Sequence, residues 1–171
     1  VRETGSQVVL ANTYHLLLRD RYKVIEKLGG LHSFTGWEKT ILTDSGGFQV
    51  YSLPKKDISD KGVKFRNELN GEESELTPER SINIQNSLGA DIIMAFDECT
   101  PYPASEKDAF RGVRRTLSWL ERSLKAHQRT NEQSLFGIVQ GSTFPRLRRL
   151  CAEGVKTFDL PGYAIGGVSV G

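Results

Sequence analysis

The strongest constraint on the fold is an alternation. Short apolar runs, each long enough for one strand, are separated by helical patterns and closed by a polar residue or a glycine pair. The runs are "QVVLA" (7–11), "TIL" (40–42), "DIIMAF" (91–96), "LFGIVQ" (135–140) and "YAIGG" (163–167). A helix is expected from about Thr13 to Leu28, stopping at Gly29-Gly30. Another begins with Thr77 as cap, Pro78 where a missing N–H does no harm and Glu79 at the positive helix end, and it stops at Gly89. A third, about 105 to 130, places Phe110, Val113, Leu117, Leu120 and Leu124 on one apolar face, and a fourth lies near 145 to 153. Strand and helix repeated in this way, with right-handed crossovers, specify an α/β protein with a parallel sheet.

Between Pro54 and Leu76 the alternation is interrupted by a polar insertion, whose "VKFRNELNGEESEL" predicts a hairpin turning at Asn70-Gly71. The remaining choice is between an open doubly wound sheet and a (β/α)8 barrel. An open sheet is expected to carry a phosphate-cradling glycine fingerprint after its first strand, and "LANTYHL" is not one. The barrel is therefore preferred. A whole barrel takes about 250 residues, so 171 residues with five strands predict part of one. The opening residues already read as an element and the closing "YAIGGVSVG" has nothing packed behind it, which predicts an internal fragment.

Composition excludes several classes. Net charge is +2 from 23 basic and 21 acidic residues, too balanced to announce a nucleic-acid binder from totals alone. No apolar run approaches the roughly 20 residues that cross a bilayer. Cys99 and Cys151 have no metal-type spacing, and His15, His32 and His127 lack mutual metal spacing. Cys99 as a nucleophile has no histidine partner motif. A reducing cytoplasm is the expected location.

The strands end in Asn12, Asp44, Asp97-Glu98, Gln140 and Gly166-Gly167. In a parallel barrel all of these lie on the rim that carries active sites. Asp44 runs into Ser45-Gly46-Gly47, where glycines let backbone N–H groups approach a ligand, and Phe48 beyond them is placed to stack on a flat ring. The carboxylate of Asp97 presents two acceptors side by side, matching the donor edge of guanine. The Gln140 amide can donate to a carbonyl such as guanine O6, and Gly167 can add a backbone N–H. Each residue alone also admits a structural reading: Asp44 capping a turn, Phe48 in the core, Asp97 paired with an arginine, Gln140 satisfied by main chain, Gly167 in a simple turn. The stripe Arg111, Arg115, Arg122 and Arg129 either touches phosphates or is the solvated back of a barrel helix, the second being favoured.

The segments "NTYHLLLR", "GGLHSFTGW", "ILTDSGGFQVYSL", "SINIQNSLGADIIMAFDECTPYPA", "LFGIVQGS" and "GYAIGGVSVG" resemble, in order and over essentially the whole chain, the tRNA-guanine transglycosylases, also called queuine tRNA-ribosyltransferases. The resemblance implies a (β/α)8 TIM barrel with a zinc-bearing insertion. Residues 1–171 would be a partial catalytic barrel domain. The first strand, the strand with the nucleophilic aspartate, and the Zn2+ ligands would lie outside it, the latter two beyond Gly171. It further implies exchange of guanine at the anticodon wobble position of tRNA with a GUN anticodon for a 7-deazaguanine base, by a homodimer when full length. Asp44 resembles the family's general acid/base, within a substrate-binding run from Asp44 through Ser45, Gly46 and Gly47 to Phe48. Asp97, Gln140 and Gly167 match positions that read the base. "DECTPYP" with Cys99 and "GGVSVG" with Val170 look like the bacterial branch, implying 7-aminomethyl-7-deazaguanine, with Glu98 and the Val168 backbone near its aminomethyl group. Phe48 stands where some relatives carry tyrosine, keeping the stacking surface without the hydroxyl. The 171 residues alone are expected to be inactive. The competing expectation is a non-catalytic paralogue that binds tRNA or base without chemistry.

Overall fold

The computed structural model describes residues 1–170. Strands β1 (Val8–Ala11) and β2 (Thr40–Thr43) are followed by an antiparallel insertion of β3 (Lys56–Ile58), β4 (Val63–Arg66) and β5 (Glu73–Leu76), and then by β6 (Ile92–Met94), β7 (Ser134–Val139) and β8 (Gly162–Ile165). Outside the insertion the strands form one five-stranded sheet in the order β1-β2-β6-β7-β8, parallel throughout. This is the expected α/β arrangement. Among the described residues the sheet does not close, and β1 and β8 are its edges.

The helices are α1 (Thr13–Leu17), α2 (Arg21–Lys27), α3 (Gly30–Thr35), α4 (Gly47–Ser52), α5 (Pro78–Leu88), α6 (Glu106–Ala126) and α7 (Pro145–Lys156). Helices α5, α6 and α7 cover one face of the sheet, whereas α4 stands at the strand ends. Ile41, Thr43, Ile93 and Leu135 point into that layer and are buried. The opposite face is open: Leu10, Leu42, Met94, Phe136, Ile138 and Ala164 line a cleft, and Leu10 is 66% exposed. Helices on one face and apolar side chains bare on the other are what an arc of a (β/α)8 barrel presents.

Local chemistry explains the best-defined boundaries. Thr77 accepts the Arg80 N–H at the start of α5, Pro78 fills the first turn, and Gly89 ends the helix in the left-handed conformation. Elsewhere the expectations need correction. The single helix expected over 13–28 is broken, because Arg19 and Asp20 take φ of 58° and 52° and divide α1 from α2 across a 3-10 turn. The expected hairpin is present as β4 and β5, which pair antiparallel across the Asn70-Gly71 turn, and β3 adds a third strand on the other side of β4. In α6 the buried stripe is Ala109, Gly112, Val113, Thr116, Trp119, Leu120 and Ser123, while Phe110 and Leu124 stay exposed. The helix lies so close to the loop after β6 that a Cβ at Gly112 would stand 2.5 Å from Thr100 Oγ1. Trp119 stacks on Phe96 with ring centroids 4.8 Å apart.

The arginine stripe divides: Arg111 and Arg129 lie on the solvated surface, whereas Arg115 and Arg122 are partly buried in ion pairs. Arg115 binds Glu98 at 2.6 Å and Asp60 at 3.0 Å. Arg122 takes both carboxylate oxygens of Glu79 and donates to the Asp60 and Lys61 carbonyls. Trp119 Nε1 donates to the Asp60 carbonyl at 2.9 Å. These side chains fasten the β3–β4 turn to α6. Arg111 pairs with Asp108, and Arg129 donates to Asn86 O.

Candidate functional site

Asp44 follows β2 directly and is held from the end of β1. Its Oδ1 accepts the Thr13 N–H at 2.8 Å, its Oδ2 accepts Asn12 Nδ2 at 2.6 Å, and Thr13 Oγ1 donates to its carbonyl at 2.6 Å. Asn12 is placed for this because its own Oδ1 caps α1 through the His15 N–H. Burial pushes the Asp44 carboxyl above the ordinary carboxylate range, against the downward pull of bonds from Thr13, Gly46 and Gln49.

Asp97 lies just beyond β6 and is buried. Its Oδ2 accepts Gln140 Nε2 at 2.7 Å and its Oδ1 accepts Ser45 Oγ at 3.3 Å. Burial pushes its carboxyl up to about 6; the Gln140 and Ser45 bonds oppose that, and the charge of Asp44 adds to it. The alternative reading, an arginine partner, does not hold among the described residues: Asp97 pairs with an amide and a hydroxyl. Gln140 gives one Nε2 hydrogen to Asp97, leaving the second, while its buried Oε1 has no partner among the described residues.

The glycines are fixed by these side chains. A Cβ at Gly47 would stand 3.0 Å from both the carbonyl and Oδ1 of Asp97. One at Gly166 would stand 2.4 Å from Gln140 Nε2, and Gly167 has a φ of +74° with its Cβ position 3.0 Å from Gln140 Oε1. Only glycine lets those chain segments pass so close to the polar groups.

Asp44, Ser45, Gly46, Gly47, Phe48, Asp97, Gln140 and Gly167 thus line one open cleft of about 570 Å³, together with the bare sheet face. Its walls are mostly apolar and its polar groups converge at one end, the pattern of a small-molecule site. Phe48 is not a core residue; it is exposed at the mouth, tilted against Tyr51. Cys99 shares the cleft, but burial pushes its thiol up to about 11, which leaves it protonated and a poor nucleophile. Val168 borders the cleft. Glu98 does not: its carboxylate turns toward α6 and is taken by Arg115. Val170 has no described side chain.

Two of the three histidines are occupied structurally, and the third, His15, is exposed with its ring edge-on to Tyr14. His32 bonds Trp37 O and Asp91, and His127 bonds Asn86 and Gln133 O. Among the described residues no group of three or more His, Cys, Asp or Glu is placed to hold a metal ion, so these residues do not fit a zinc centre. No helix among them is long and apolar enough to cross a membrane.

Sequence reasoning passed over two residues that contact the site from behind. Ser81 Oγ donates to the Ser45 carbonyl at 2.7 Å, and Gln85 Nε2 donates to Ser81 Oγ at 3.1 Å. The available signal was a run of polar residues on the buried side of α5.

The whole chain, residues 1–171, matches the family model described as queuine tRNA-ribosyltransferase. It is 59% identical over 170 residues to the queuine tRNA-ribosyltransferase of Prochlorococcus marinus (strain MIT 9303), covering 99% of this chain and 45% of that protein. It is 56% identical over 172 residues to the one of Anoxybacillus flavithermus, covering 100% of this chain and 45% of that protein. The one of Synechococcus elongatus is likewise 56% identical, with the same coverage. The chain spans about half the length of the curated relatives it matches.

Proposed function

This chain belongs to the queuine tRNA-ribosyltransferase family, and from that premise we propose that its strand-end cleft holds a guanine-type base during base exchange on tRNA. Guanine leaves the anticodon wobble position of a tRNA with a GUN anticodon, and 7-aminomethyl-7-deazaguanine takes its place. The enzyme acts in the cytoplasm as a homodimer. The reading rests on one observation above the others: Asp97 and Gln140, delivered by neighbouring strands, are hydrogen-bonded to each other inside a cleft that Asp44 and the glycine turn also line.

The chemistry follows from the groups. When ionised, Asp97 accepts from the ring N–H and the 2-amino group of the base. The second hydrogen of Gln140 Nε2 and the Gly167 N–H donate to the 6-carbonyl. A base lacking these groups leaves buried polar atoms unpaired, which is how such a site discriminates. Phe48 covers the ring face. Asp44, with its carboxyl pushed toward neutrality, is suited to give a proton to the departing base and take one from the incoming base. The attack on ribose C1′ belongs to an aspartate outside these residues.

The test replaces Asp44 with Asn in the full-length protein and follows radiolabelled guanine exchange into tRNA. Loss of a general acid/base predicts a fall in rate of about 10²–10⁴-fold. Exchange at the parental rate would remove Asp44 from the chemistry.

A further inference from the structure

The β2–β6 ladder stops at the pair Thr43↔Ile93. One residue further along β6, both main-chain groups of Met94 are taken by a side chain. Met94 N donates to Gln85 Oε1 and Met94 O accepts from Gln85 Nε2, each at 2.9 Å. The same amide accepts Thr43 Oγ1 at 3.0 Å and donates to Ser81 Oγ at 3.1 Å. Every hydrogen-bonding site of the Gln85 amide is therefore used, and Gln85, Ser81 and Thr43 are fully buried. The amide stands where the next strand pair would form, at the level where Asp44-Ser45 and Asp97 emerge from their strands.

From there the connection continues into the cleft. Ser81 Oγ donates to the Ser45 carbonyl, while Ser45 Oγ donates to Asp97 Oδ1 and accepts the Gly47 N–H at 3.1 Å. A single buried chain of hydrogen bonds thus runs from the core of α5 to the carboxylate that faces the base.

We infer that Gln85 and Ser81 are positioning residues for base recognition: wedged between β2 and β6, they set where the Ser45-Gly46-Gly47 turn stands relative to Asp97. Neither side chain lines the cleft, so their influence passes through Ser45. The inference rests on the base-binding role proposed for Asp97. A chain of buried hydrogen bonds with all partners satisfied fixes one geometry, and losing one link frees the next. Removing the Ser81 hydroxyl keeps the Gln85–Met94 bridge but releases the Ser45 carbonyl, so the turn drifts from Asp97 while the fold persists.

The experiment uses the full-length protein and guanine exchange into tRNA, with Ser81→Ala, Ser45→Ala, the double variant and Asp97→Asn as a control. The expected result for Ser81→Ala is a KM for guanine raised about five- to tenfold, with kcat within about twofold, as for the loss of one buried hydrogen bond expressed in binding. The double variant should be no worse than the weaker single variant, because both cut the same chain. Ser45→Ala leaves α5 untouched and carries the test should Ser81→Ala not fold. It is expected to raise KM and to move the acid-side midpoint of the pH profile of 1/KM upward, since Ser45 helps hold Asp97 ionised. A parental KM in Ser81→Ala beside a raised KM in Asp97→Asn would overturn the positioning role alone. Fully additive single variants, or a Ser45→Ala protein with parental KM and midpoint, would overturn it too. A parental KM in Asp97→Asn would remove the base-binding reading itself.

Discussion

The two faces of the parallel sheet have the same kind of residue and opposite circumstances. On the helix side, Ile41 and Ile93 are within 1% of complete burial. On the other side Leu10, in register with Leu42 of β2, is largely exposed. Stability is concentrated in the first layer, where α5, α6 and α7 close over the strands. The second face contributes little to holding the described residues together, and it leads directly to the polar mouth where Asp44, Asp97 and Gln140 meet. Packing and the recognition proposed above thus fall on opposite sides of one sheet.

The contrast can be broken at several points. Ile93→Ala, on the helix side, is expected to cost about 2–5 kcal/mol in denaturant unfolding, from lost burial and a residual cavity. At the mouth, Asp97 has the opposite character. Its carboxyl sits at about 6 in the folded chain against an ordinary 3.8, so the folded state binds more protons between those values. Its contribution to stability is full below about pH 4 and is lost as pH rises through about 6, by roughly 3 kcal/mol. Asp97→Asn should remove that slope from stability measured against pH and make the protein more stable at pH 7. An unchanged slope would show that Asp97 is not the buried acid. Arg122→Ala, which unfastens the insertion from α6, should cost about 1–2 kcal/mol, the scale of charge-assisted bonds that are partly exposed. Smallest of all, Leu10→Ser in the 171-residue chain should stay within about 0.5 kcal/mol of the parent. A loss as large as that of Ile93→Ala would mean that the open face is covered.

What could be read from the sequence was what local chemistry decides. Thr77, Pro78 and Gly89 announce α5 by backbone rules that need no tertiary partner. The polar strand ends were visible because an Asp or Gln closing an apolar run breaks its pattern, and eight residues expected at the site do line one cleft. What stayed hidden depends on neighbours distant in sequence. Nothing in "LLLRDRY" marks the break at Arg19-Asp20, since neither residue is glycine or proline. On α6 the large apolar residues gave only half of the buried face: Val113 and Leu120 lie in it, but Phe110 and Leu124 do not, because the stripe is completed at the same helical spacing by small and polar residues, Gly112, Thr116 and Ser123, packed close to the chain beyond β6. Glu98 looked free to meet a cationic group until Arg115, 17 positions away, was seen to occupy it. Gln85 and Ser81 read as ordinary helix residues, and the role inferred for them depends on two strand ends parting around them.

The central claim is that Asp97 recognises the donor edge of a guanine-type ring, and comparing guanine with hypoxanthine, which lacks the 2-amino group, probes it most directly. Binding of both to the full-length parent and to Asp97→Asn would be measured by calorimetry. The account predicts that the parent prefers guanine by about 100-fold or more and that the variant loses most of that preference. Equal affinity for the two bases in the parent, or a preference that survives the substitution intact, would contradict it.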